Sequence, residues 1–499
     1  MKWPVLDALA NAQGDREVLR DYRQSLSASE TLARVQDWAS QLKPCRVLAL
    51  LADNSADWVL ADLAALNAQV ALLPIPNFFS PTQTLHVLQQ TGADAILTDQ
   101  TDAVMALKLG FVLENTMGSL CLLRRSVVAV ALPAGTAKIS FTSGSTGTPK
   151  GVCLSACGLM ATATSIRAQL AHLRIERHLV VLPLTLLLEN TAGVYAGLLS
   201  GACVHLPALA SLGWLGMAGF NPAALMKTTQ VLTPQTMILV PELLKAWSLY
   251  LNMTNQKAPT SLQFVAVGGA RVDPSLLQQA RQRGIPAYEG YGMTECGSVV
   301  SMNLPGDEGA GVGRPLPHVE VTIQAGEIHL KTATFLGYVD TDIDAEPPTA
   351  LSANFASGDL GRMDEEGHLH LSGRCKNLLI TSFGRNVSPE WVESVLLAQA
   401  PIAQALVLGD GQASLSAVLV PFAGVTSEQI QHAVVLANAT LPDYARISSW
   451  IQSEPFTLQN ALATGNGRAV RSTISTRYAC ALFAVTDQTN HKEPQHVVL

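Results

Sequence analysis

The stretch of sequence that decides the fold is Ser140-Phe-Thr-Ser-Gly-Ser-Thr-Gly-Thr-Pro-Lys-Gly151. It supplies hydroxyl groups, the glycines Gly144 and Gly147 that let the backbone approach a ligand, and the ammonium group of Lys150. Hydroxyls, free backbone N–H groups and a cation are what a polyphosphate requires around it. The stretch is not the common nucleotide-binding loop, in which Lys directly follows Gly, because Lys150 here follows Pro149.

The same composition also fits an ordinary polar surface loop, since runs of Gly, Ser and Thr are common in loops. The flanking residues argue against a linker. Apolar side chains lead into it, at Ile139 and Phe141, and follow it at Val152–Leu154. We therefore interpret the stretch as a phosphate-binding loop.

Composition limits the class of protein. The chain has 499 residues, of which 48% are hydrophobic and 14% charged, so it has ample core for two to four domains and is not disordered. A formal net charge of −7 argues against a general nucleic-acid surface. The eight cysteines form no Cys-x-x-Cys pair, which favours reduced thiols in a cytoplasmic protein.

One long uncharged segment raises the question of a membrane. Asn190–Met226 contains no Asp, Glu, Lys or Arg, but glycines and prolines interrupt it. A transmembrane helix requires about 20 uninterrupted apolar residues. We expect a buried helix followed by a central strand at Ala202–Leu206 and no transmembrane segment; peripheral membrane contact stays open.

Short apolar runs alternate with helical patterns over the first two-thirds of the chain. Continuous apolarity predicts parallel strands covered by helices on both faces. The predicted strands are Val47–Leu51, Val70–Pro74, Ala95–Thr98, Val180–Pro183, Met237–Pro241 and Phe264–Gly268. Ala56–Leu66 and Leu85–Thr91 are predicted crossover helices.

The pattern changes after Gly309. Val319–Gln324 and Glu327–Lys331 alternate polar and apolar residues around a turn, which predicts an antiparallel hairpin. Beyond Lys376 the pattern predicts a compact α+β segment. Its predicted elements are a helix near Pro389–Gln399, strands at Ala403–Leu408 and Ser414–Pro421, and a helix near Ser427–Ala439.

Four further segments complete a family pattern in order and spacing. They are Tyr291-Gly-Met-Thr-Glu295, Ser357-Gly-Asp-Leu-Gly361, Gly373-Arg-Cys-Lys376 and Gly384-Arg-Asn-Val-Ser-Pro-Glu390. With the loop at 140–151, they resemble the adenylate-forming superfamily of acyl-CoA synthetases, luciferase-like ligases and peptide-synthetase adenylation domains. Among these, the chain looks most like the fatty-acid and acyl ligases.

The resemblance implies an α/β fold with two domains. Residues 1–375 would form a large adenylation domain of mixed and parallel sheets flanked by helices, with a small antiparallel, barrel-like part. Residues 376–499 would form a small, mobile α+β lid that turns on a hinge at Lys376. A hinge requires only one residue to absorb the dihedral change.

The resemblance also implies roles for individual residues. The set that binds the phosphates of ATP would be Thr142, Ser143, Gly144, Ser145, Thr146, Gly147 and Lys150. Glu295 would bind Mg²⁺, and Thr294 would reach the phosphate. Without the motif, Glu295 would be an ordinary acid at the start of a helix.

Adenosine would lie against two further groups of residues. Tyr291 would stack on the adenine, and the backbone of Gly268, Gly269 and Ala270 would pass close to it. Asp359 would accept from the ribose hydroxyls with Arg374 beside it, although an acid after Gly is also a common turn residue.

Arg468 departs from the family pattern. It follows Thr464-Gly-Asn-Gly467, where the family usually carries a lysine that binds the carboxylate and the α-phosphate. Three interpretations stay open: Arg468 performs the lysine's work, the enzyme relies mainly on its thioester half-reaction, or the chain is an inactive relative. Arg keeps the charge and can hold phosphate in a fork, but it is not equivalent to Lys.

The expected reaction is activation of a carboxylic acid by ATP and Mg²⁺ to an acyl-AMP, then transfer to a thiol. Apolar residues at Leu186–Leu188, Met237–Val240 and Cys296–Val300 favour an aliphatic or fatty acid. Whether Glu189 faces this pocket or starts a helix is undecided. The acceptor is CoA or the phosphopantetheine of an acyl carrier protein, and a homodimer is possible. The alternatives are an adenylate-forming β-lactone synthetase and a non-catalytic acyl- or nucleotide-binding relative.

Overall fold

The computed structural model describes residues 3–12, 15–142, 150–215, 219–307, 310–339, 353–464, 467–483 and 494–497. In chain order, its α-helices are α1 Pro4–Ala10, α2 Ala28–Leu42, α3 Ala56–Ala68, α4 Pro81–Gln90, α5 Thr101–Ala106, α6 Ala156–Leu170, α7 Ala196–Leu199, α8 Pro222–Leu232, α9 Pro241–Met253, α10 Pro274–Gln282, α11 Pro389–Leu397, α12 Ser427–Thr440 and α13 Arg471–Phe483. A π-helix, Leu188–Tyr195, leads into α7.

The strands, also in chain order, are β1 Glu17–Arg20, β2 Ser25–Ser27, β3 Val47–Leu51, β4 Ala71–Pro74, β5 Ala95–Thr98, β6 Val112–Met117, β7 Leu120–Arg124, β8 Thr136–Thr142, β9 Lys150–Ser155, β10 Arg177–Leu179, β11 Cys203–His205, β12 Thr236–Leu239, β13 Phe264–Val267, β14 Ala287–Tyr291, β15 Ser301–Met302, β16 Arg314–Pro315, β17 Val319–Gln324, β18 Glu327–Thr332, β19 Phe335–Tyr338, β20 Ala353–Met363, β21 Leu369–Arg374, β22 Leu379–Ile380, β23 Asn386–Val387, β24 Ile402–Leu408, β25 Leu415–Pro421, β26 Ile447–Gln452 and β27 Gln495–Val497.

The chain divides into two compact units. The first comprises residues 1–269, 281–321 and 330–355, and the second comprises 270–280, 322–329 and 356–499, each apart from its undescribed residues. The hinge at Lys376 stays a prediction, since Lys376 lies inside the second unit and no motion is recorded.

Two large sheets build the first unit. One has the order β16-β15-β14-β13-β12-β10-β11-β1-β2, and the other has the order β19-β9-β8-β4-β3-β5-β7-β6. The central pairs of both sheets are parallel and the outer pairs are antiparallel. Central strands such as β3 and β4 are buried from end to end, as expected for parallel strands with helices on both faces, whereas the edge strand β6 is largely exposed. The predicted α/β class is confirmed.

Local sequence signals explain where the crossover helices start. Ser27 and Glu30 form a capping box at α2, and Ser80 and Gln83 form another at α4. Proline occupies the first turn of α4, α8 and α9, where a missing N–H costs nothing.

One predicted strand, Val180–Pro183, is wrong in position. The strand β10 lies at Arg177–Leu179, just before it. The backbone N–H groups of Val181 and Leu182 donate to the carboxylate of Glu189, at 3.1 and 2.9 Å, instead of to a neighbouring strand. A buried side chain therefore ends the ladder that the apolar pattern alone would extend.

The uncharged segment after Asn190 forms the π-helix, α7 and β11, which confirms a buried helical segment followed by an internal strand. No helix among the described residues combines the length and apolarity needed to span a bilayer.

The second unit contains the α+β segment predicted beyond Lys376. A four-stranded sheet with the order β24-β25-β26-β27 packs α11 and α12 around buried Trp450 on one face and α13 beside buried Ile451 on the other. The strands β17, β18, β20 and β21 form a separate four-stranded sheet. Its β20–β21 pair is antiparallel, as expected for the predicted barrel-like part.

Candidate active site

The loop predicted to bind phosphate follows one strand of an antiparallel pair and precedes the other. β8 ends at Thr142 and β9 begins at Lys150, and these two residues are directly paired in the register. Lys150 is exposed at the start of β9. Ser143, Gly144, Ser145, Thr146 and Gly147 lie outside the described residues, as does the side chain of Thr142, so their phosphate contacts stay predictions.

The predicted metal ligand lies on a tight turn of the first unit. Between β14 and β15, the N–H of Ser298 donates to the carbonyl of Met293 at 3.1 Å and that of Val300 to Tyr291 at 2.8 Å. Glycine is required at position 292, because a Cβ there would lie 1.6 Å from the carbonyl oxygen of Ser298. The turn projects Thr294 and Glu295, and both side chains are half-buried.

Contacts with α6 and with the chain before β19 fix this turn in place. A Cβ on Gly297 would lie 2.8 Å from Oγ1 of Thr162 and 3.2 Å from Cγ2 of Thr334. Ser298 itself has a φ of +94°, which is strained for a residue other than glycine. Strained backbone at a candidate site is consistent with a conformation held for function.

Glu295 has a partner that the sequence reasoning missed. The hydroxyl of Tyr338, at the end of β19, donates to Oε1 of Glu295 at 3.1 Å. The ammonium of Lys150 lies 5.9 Å from the centre of the Tyr338 ring. The structure therefore brings the predicted phosphate cation and the predicted metal ligand to the same tyrosine.

The residues predicted to flank the adenine lie at the ends of β13 and β14. Gly268 follows β13, and its N–H donates to the carbonyl of Leu239 at 3.2 Å. A Cβ on Gly268 would lie 3.6 Å from the carbonyl of Gly290, beside half-buried Tyr291. Ala270 falls in the second unit and is exposed.

Apolar side chains lie next to these glycines. Cδ2 of Leu188 would lie 3.8 Å from a Cβ on Gly268, and Cγ1 of Val240 would lie 3.6 Å from a Cβ on Gly269. Two of the three apolar segments expected to line the acid pocket therefore lie beside Gly268 and Gly269, which are predicted to flank the adenine.

Asp359 and Arg374 are brought together in the second unit, as the resemblance implies. They are paired across β20 and β21, and Nε of Arg374 donates to Oδ1 of Asp359 at 2.8 Å. Asp359 is buried and Arg374 is half-exposed. Lys376 is exposed in the turn that follows β21.

Arg468 is exposed. Its carbonyl accepts from the N–H of Thr464 at 2.8 Å, and the preceding Gly467 has a φ of +81°, which favours glycine. Arg471, three residues later, has a different role. It donates two hydrogen bonds to the buried carboxylate of Glu393, at 2.8 and 2.9 Å, and one to the carbonyl of Val407.

The structure shows that the side chain of Glu189 is held inside the first unit. Its fully buried carboxylate accepts the two N–H groups at the end of β10 and lies 3.0 Å from Nε2 of His178. Nδ1 of His178 in turn lies 2.9 Å from the hydroxyl of Thr236. Glu189 is therefore an internal residue that ties the π-helix to the sheet.

Comparison with known proteins identifies the family. Residues 6–329 match the AMP-binding enzyme family, and residues 376–488 match the AMP-binding enzyme C-terminal domain. The chain belongs to the AMP-binding enzymes. The suspected adenylate-forming superfamily is thereby confirmed.

Individual relatives agree with this assignment. The 2-succinylbenzoate–CoA ligase of Bacillus subtilis is 26% identical over 409 residues, which cover 77% of this chain and 80% of the relative. Among solved structures, an o-succinylbenzoate coenzyme A synthetase from Bacillus subtilis in complex with ATP and magnesium superposes with a TM-score of 0.73 at 22% identity, covering 95% of this chain and 99% of that one. An anthranilate CoA ligase in complex with anthranoyl-AMP gives a TM-score of 0.76 at 17% identity, covering 96% and 98%.

This AMP-binding enzyme has the fold that was expected, and its predicted class, an AMP-forming acid–thiol ligase, is confirmed. The comparisons do not support fatty-acid metabolism, since the relatives named above act on other acids.

Proposed function

We propose that this enzyme joins an apolar monocarboxylic acid to coenzyme A through an acyl-AMP intermediate, using ATP and Mg²⁺. The observation that carries the proposal is the approach of Glu295 and Lys150 to Tyr338 at the end of the phosphate-binding strand pair. A carboxylate and an ammonium group at this place fit a nucleoside triphosphate bound with Mg²⁺.

Glu295 fits a magnesium site by its chemistry. Mg²⁺ that is bound mainly through substrate phosphates takes one or two protein carboxylates, and Glu295 is half-buried on a fixed turn. When bound, the ion neutralises negative charge on the departing pyrophosphate. Lys150 adds a second positive charge from the end of the phosphate-binding loop.

In the first half-reaction, a carboxylate oxygen of the acid attacks the α-phosphorus of ATP and pyrophosphate leaves. In the second, the thiolate of CoA attacks the acyl carbon and AMP leaves. The proposed role of Arg468 is to bind the attacking carboxylate and the α-phosphate, where charge develops. Asp359 and Arg374 would hold the ribose hydroxyls.

The proposed class of acid follows from the three apolar segments expected to line the acid pocket, two of which lie beside Gly268 and Gly269. Leu186–Leu188, Met237–Val240 and Cys296–Val300 contain no charged side chain that could pair with an amine or a second carboxylate. Glu189, the one nearby acid that the sequence left open, is occupied inside the fold. An acid with a single carboxylate on an apolar body, aliphatic or aromatic, is therefore the proposed substrate.

CoA is the proposed acceptor because the relatives named above are CoA ligases. A carrier-protein phosphopantetheine is the alternative and would require a protein partner. Comparing acyl transfer to CoA with transfer to a loaded carrier protein separates the two.

The experiment that tests this function is ATP–pyrophosphate exchange across a panel of acids with Arg468 variants. We expect Arg468→Ala to lower exchange by ~10²–10³-fold, the usual effect of removing a group that stabilises developing charge. Arg468→Lys should retain exchange. The matched control is Arg477→Ala, which removes a half-exposed arginine of the same unit and should change exchange less than about twofold.

Each other outcome has a defined meaning. Full exchange in Arg468→Ala would show that Arg468 has no part in adenylation. Acid-dependent AMP release without any thioester would favour the β-lactone alternative. ATP binding without exchange for any acid would favour a non-catalytic relative.

A further inference from the structure

Tyr338 contacts both charged groups of the proposed nucleotide site, Glu295 and Lys150. The reaction steps proposed above give it no task of its own. Its hydroxyl donates to Oε1 of Glu295 at 3.1 Å, from a strand 43 residues away in sequence. Its ring lies 5.9 Å below the ammonium of Lys150. A cation at this distance is attracted by the negative face of an aromatic ring.

The backbone of β19 is shaped to present this side chain. β19 pairs antiparallel with β9, and a bulge between Phe335 and Gly337 shifts the register just before Tyr338. Gly337 adopts a φ of +132° at the bulge, which favours glycine. Bulges next to active sites commonly re-aim a side chain.

Packing holds the ring while its hydroxyl reaches Glu295. The ring of Phe335 meets it edge-to-face with 5.0 Å between centroids, and Phe335 is itself in contact with Phe355 at 5.6 Å. Tyr338 is half-buried, so little rotational freedom is left to the side chain. The hydroxyl can therefore fix the rotamer of a carboxylate that would otherwise sample several.

We propose that Tyr338 is a positioning residue for the metal-binding carboxylate. Its hydroxyl holds Oε1 of Glu295 and so leaves Oε2 available to a cation, and its ring would steady the ammonium of Lys150 for the phosphates of ATP. The inference rests on the proposed function, because it assumes that Glu295 binds Mg²⁺ with ATP.

The test compares ATP and AMP binding to wild type and Tyr338→Phe by calorimetry, with and without Mg²⁺. Phenylalanine keeps the ring beside Lys150 and removes only the hydroxyl. Because a hydrogen bond to a charged group is lost, we expect the Kd for ATP in Mg²⁺ to rise by about tenfold. The Kd for AMP should not change, since AMP lacks the β- and γ-phosphates through which Mg²⁺ would bind. Tyr444→Phe, a half-exposed tyrosine of the second unit, is the control.

A second variant shows whether Tyr338 acts through Glu295. In a Glu295→Gln background, Tyr338→Phe should have no further effect on ATP binding, because the group that it positions is already gone. Additive effects would overturn the proposal. So would an unchanged Kd for ATP in Tyr338→Phe, or an equal weakening of ATP and AMP, which would indicate a purely structural role. If wild type itself binds ATP without any help from Mg²⁺, the proposed function fails first, and this inference fails with it.

Discussion

Four polar side chains, Asp62, Lys138, Asn190 and Tyr195, form a hydrogen-bonded cluster inside the first unit. Nζ of Lys138 lies 2.8 Å from Oδ1 of Asp62 and 3.1 Å from the hydroxyl of Tyr195, and it also donates to Asn190. Nδ2 of Asn190 donates to Oδ2 of Asp62 at 2.8 Å. The cluster connects α3, β8 and the π-helix, so it fixes the strand that precedes the predicted phosphate-binding loop.

We predict that breaking this ion pair on one side destabilises the enzyme far more than removing both charges. Lys138→Met leaves the Asp62 carboxylate buried without its cation, which should cost ~3–5 kcal/mol of unfolding free energy. The double variant Asp62→Leu/Lys138→Met should be more stable than Lys138→Met alone. Chemical denaturation measures both, and a double variant that loses the sum of the two single effects would contradict the prediction.

Lys245 predicts a pH dependence of stability. Burial lowers the pKa of Lys245 to about 7 in the folded state, against the opposing effect of Glu242, whereas its ordinary value is 10.5. Between these values the unfolded chain binds the proton and the folded chain does not, so stability should rise with pH through this window. Denaturation midpoints at pH 7 and pH 9 measure the slope.

The matched variants for this slope are Lys245→Met and Lys331→Met. The first removes the titrating group, so stability should rise at pH 7 and the slope should flatten. The second removes an exposed lysine that pairs with Glu320 and should leave the slope unchanged. A slope in Lys245→Met equal to that of wild type would assign the pH dependence to other groups.

At the scale of an element, the turn between β14 and β15 is the part that positions Glu295, the proposed metal ligand. Its shape depends on glycine at 292, where any side chain would collide with the carbonyl of Ser298. The same turn contains Ser298 at a φ of +94°, where glycine would be less strained.

We predict opposite effects for two exchanges in this turn. Gly292→Ala should displace Glu295 and abolish Mg²⁺-dependent ATP binding, because the collision involves backbone and cannot be relieved by a rotamer. Ser298→Gly should keep ATP binding and preserve or raise stability by ~0.5 kcal/mol, since strain relief opposes a more flexible unfolded chain. Calorimetric titration with ATP and thermal denaturation measure both. Full ATP binding in Gly292→Ala would contradict this view of the turn.

The helices and strands could largely be predicted from the sequence, but the buried side-chain hydrogen bonds that connect them could not. The runs at Val47–Leu51 and Ala95–Thr98 match their strands to the residue, because strands buried on both faces are apolar throughout. Val180–Pro183 was misplaced because an apolar pattern does not show that Glu189 binds its backbone. One sign of such an internal hydrogen bond is visible in the sequence. It is a charged residue inside an otherwise apolar helix or strand, as at Asp62 and Lys138.

At the scale of the whole molecule, the family could be predicted from the sequence motifs. The substrate could not, because it depends on a few side-chain contacts that lie outside those motifs. Asp359 and Arg374 could be paired from motif order alone, and the structure places them opposite each other on β20 and β21. Tyr338 belonged to none of the motifs considered, so only the fold shows its contact with Glu295. In the proposed function, specificity for the acid would arise from apolar side chains of separate segments, and composition cannot tell which of them face the substrate.

The most direct test of the central claim is product analysis with purified enzyme, ATP, Mg²⁺, CoA and single acids, resolved by mass spectrometry. We predict AMP, pyrophosphate and acyl-CoA in equal amounts, formed from apolar monocarboxylic acids and not from amino acids or dicarboxylic acids. Omitting CoA should leave an acyl-AMP on the enzyme. ADP in place of AMP, or acyl-CoA formation that does not consume ATP, would contradict the account.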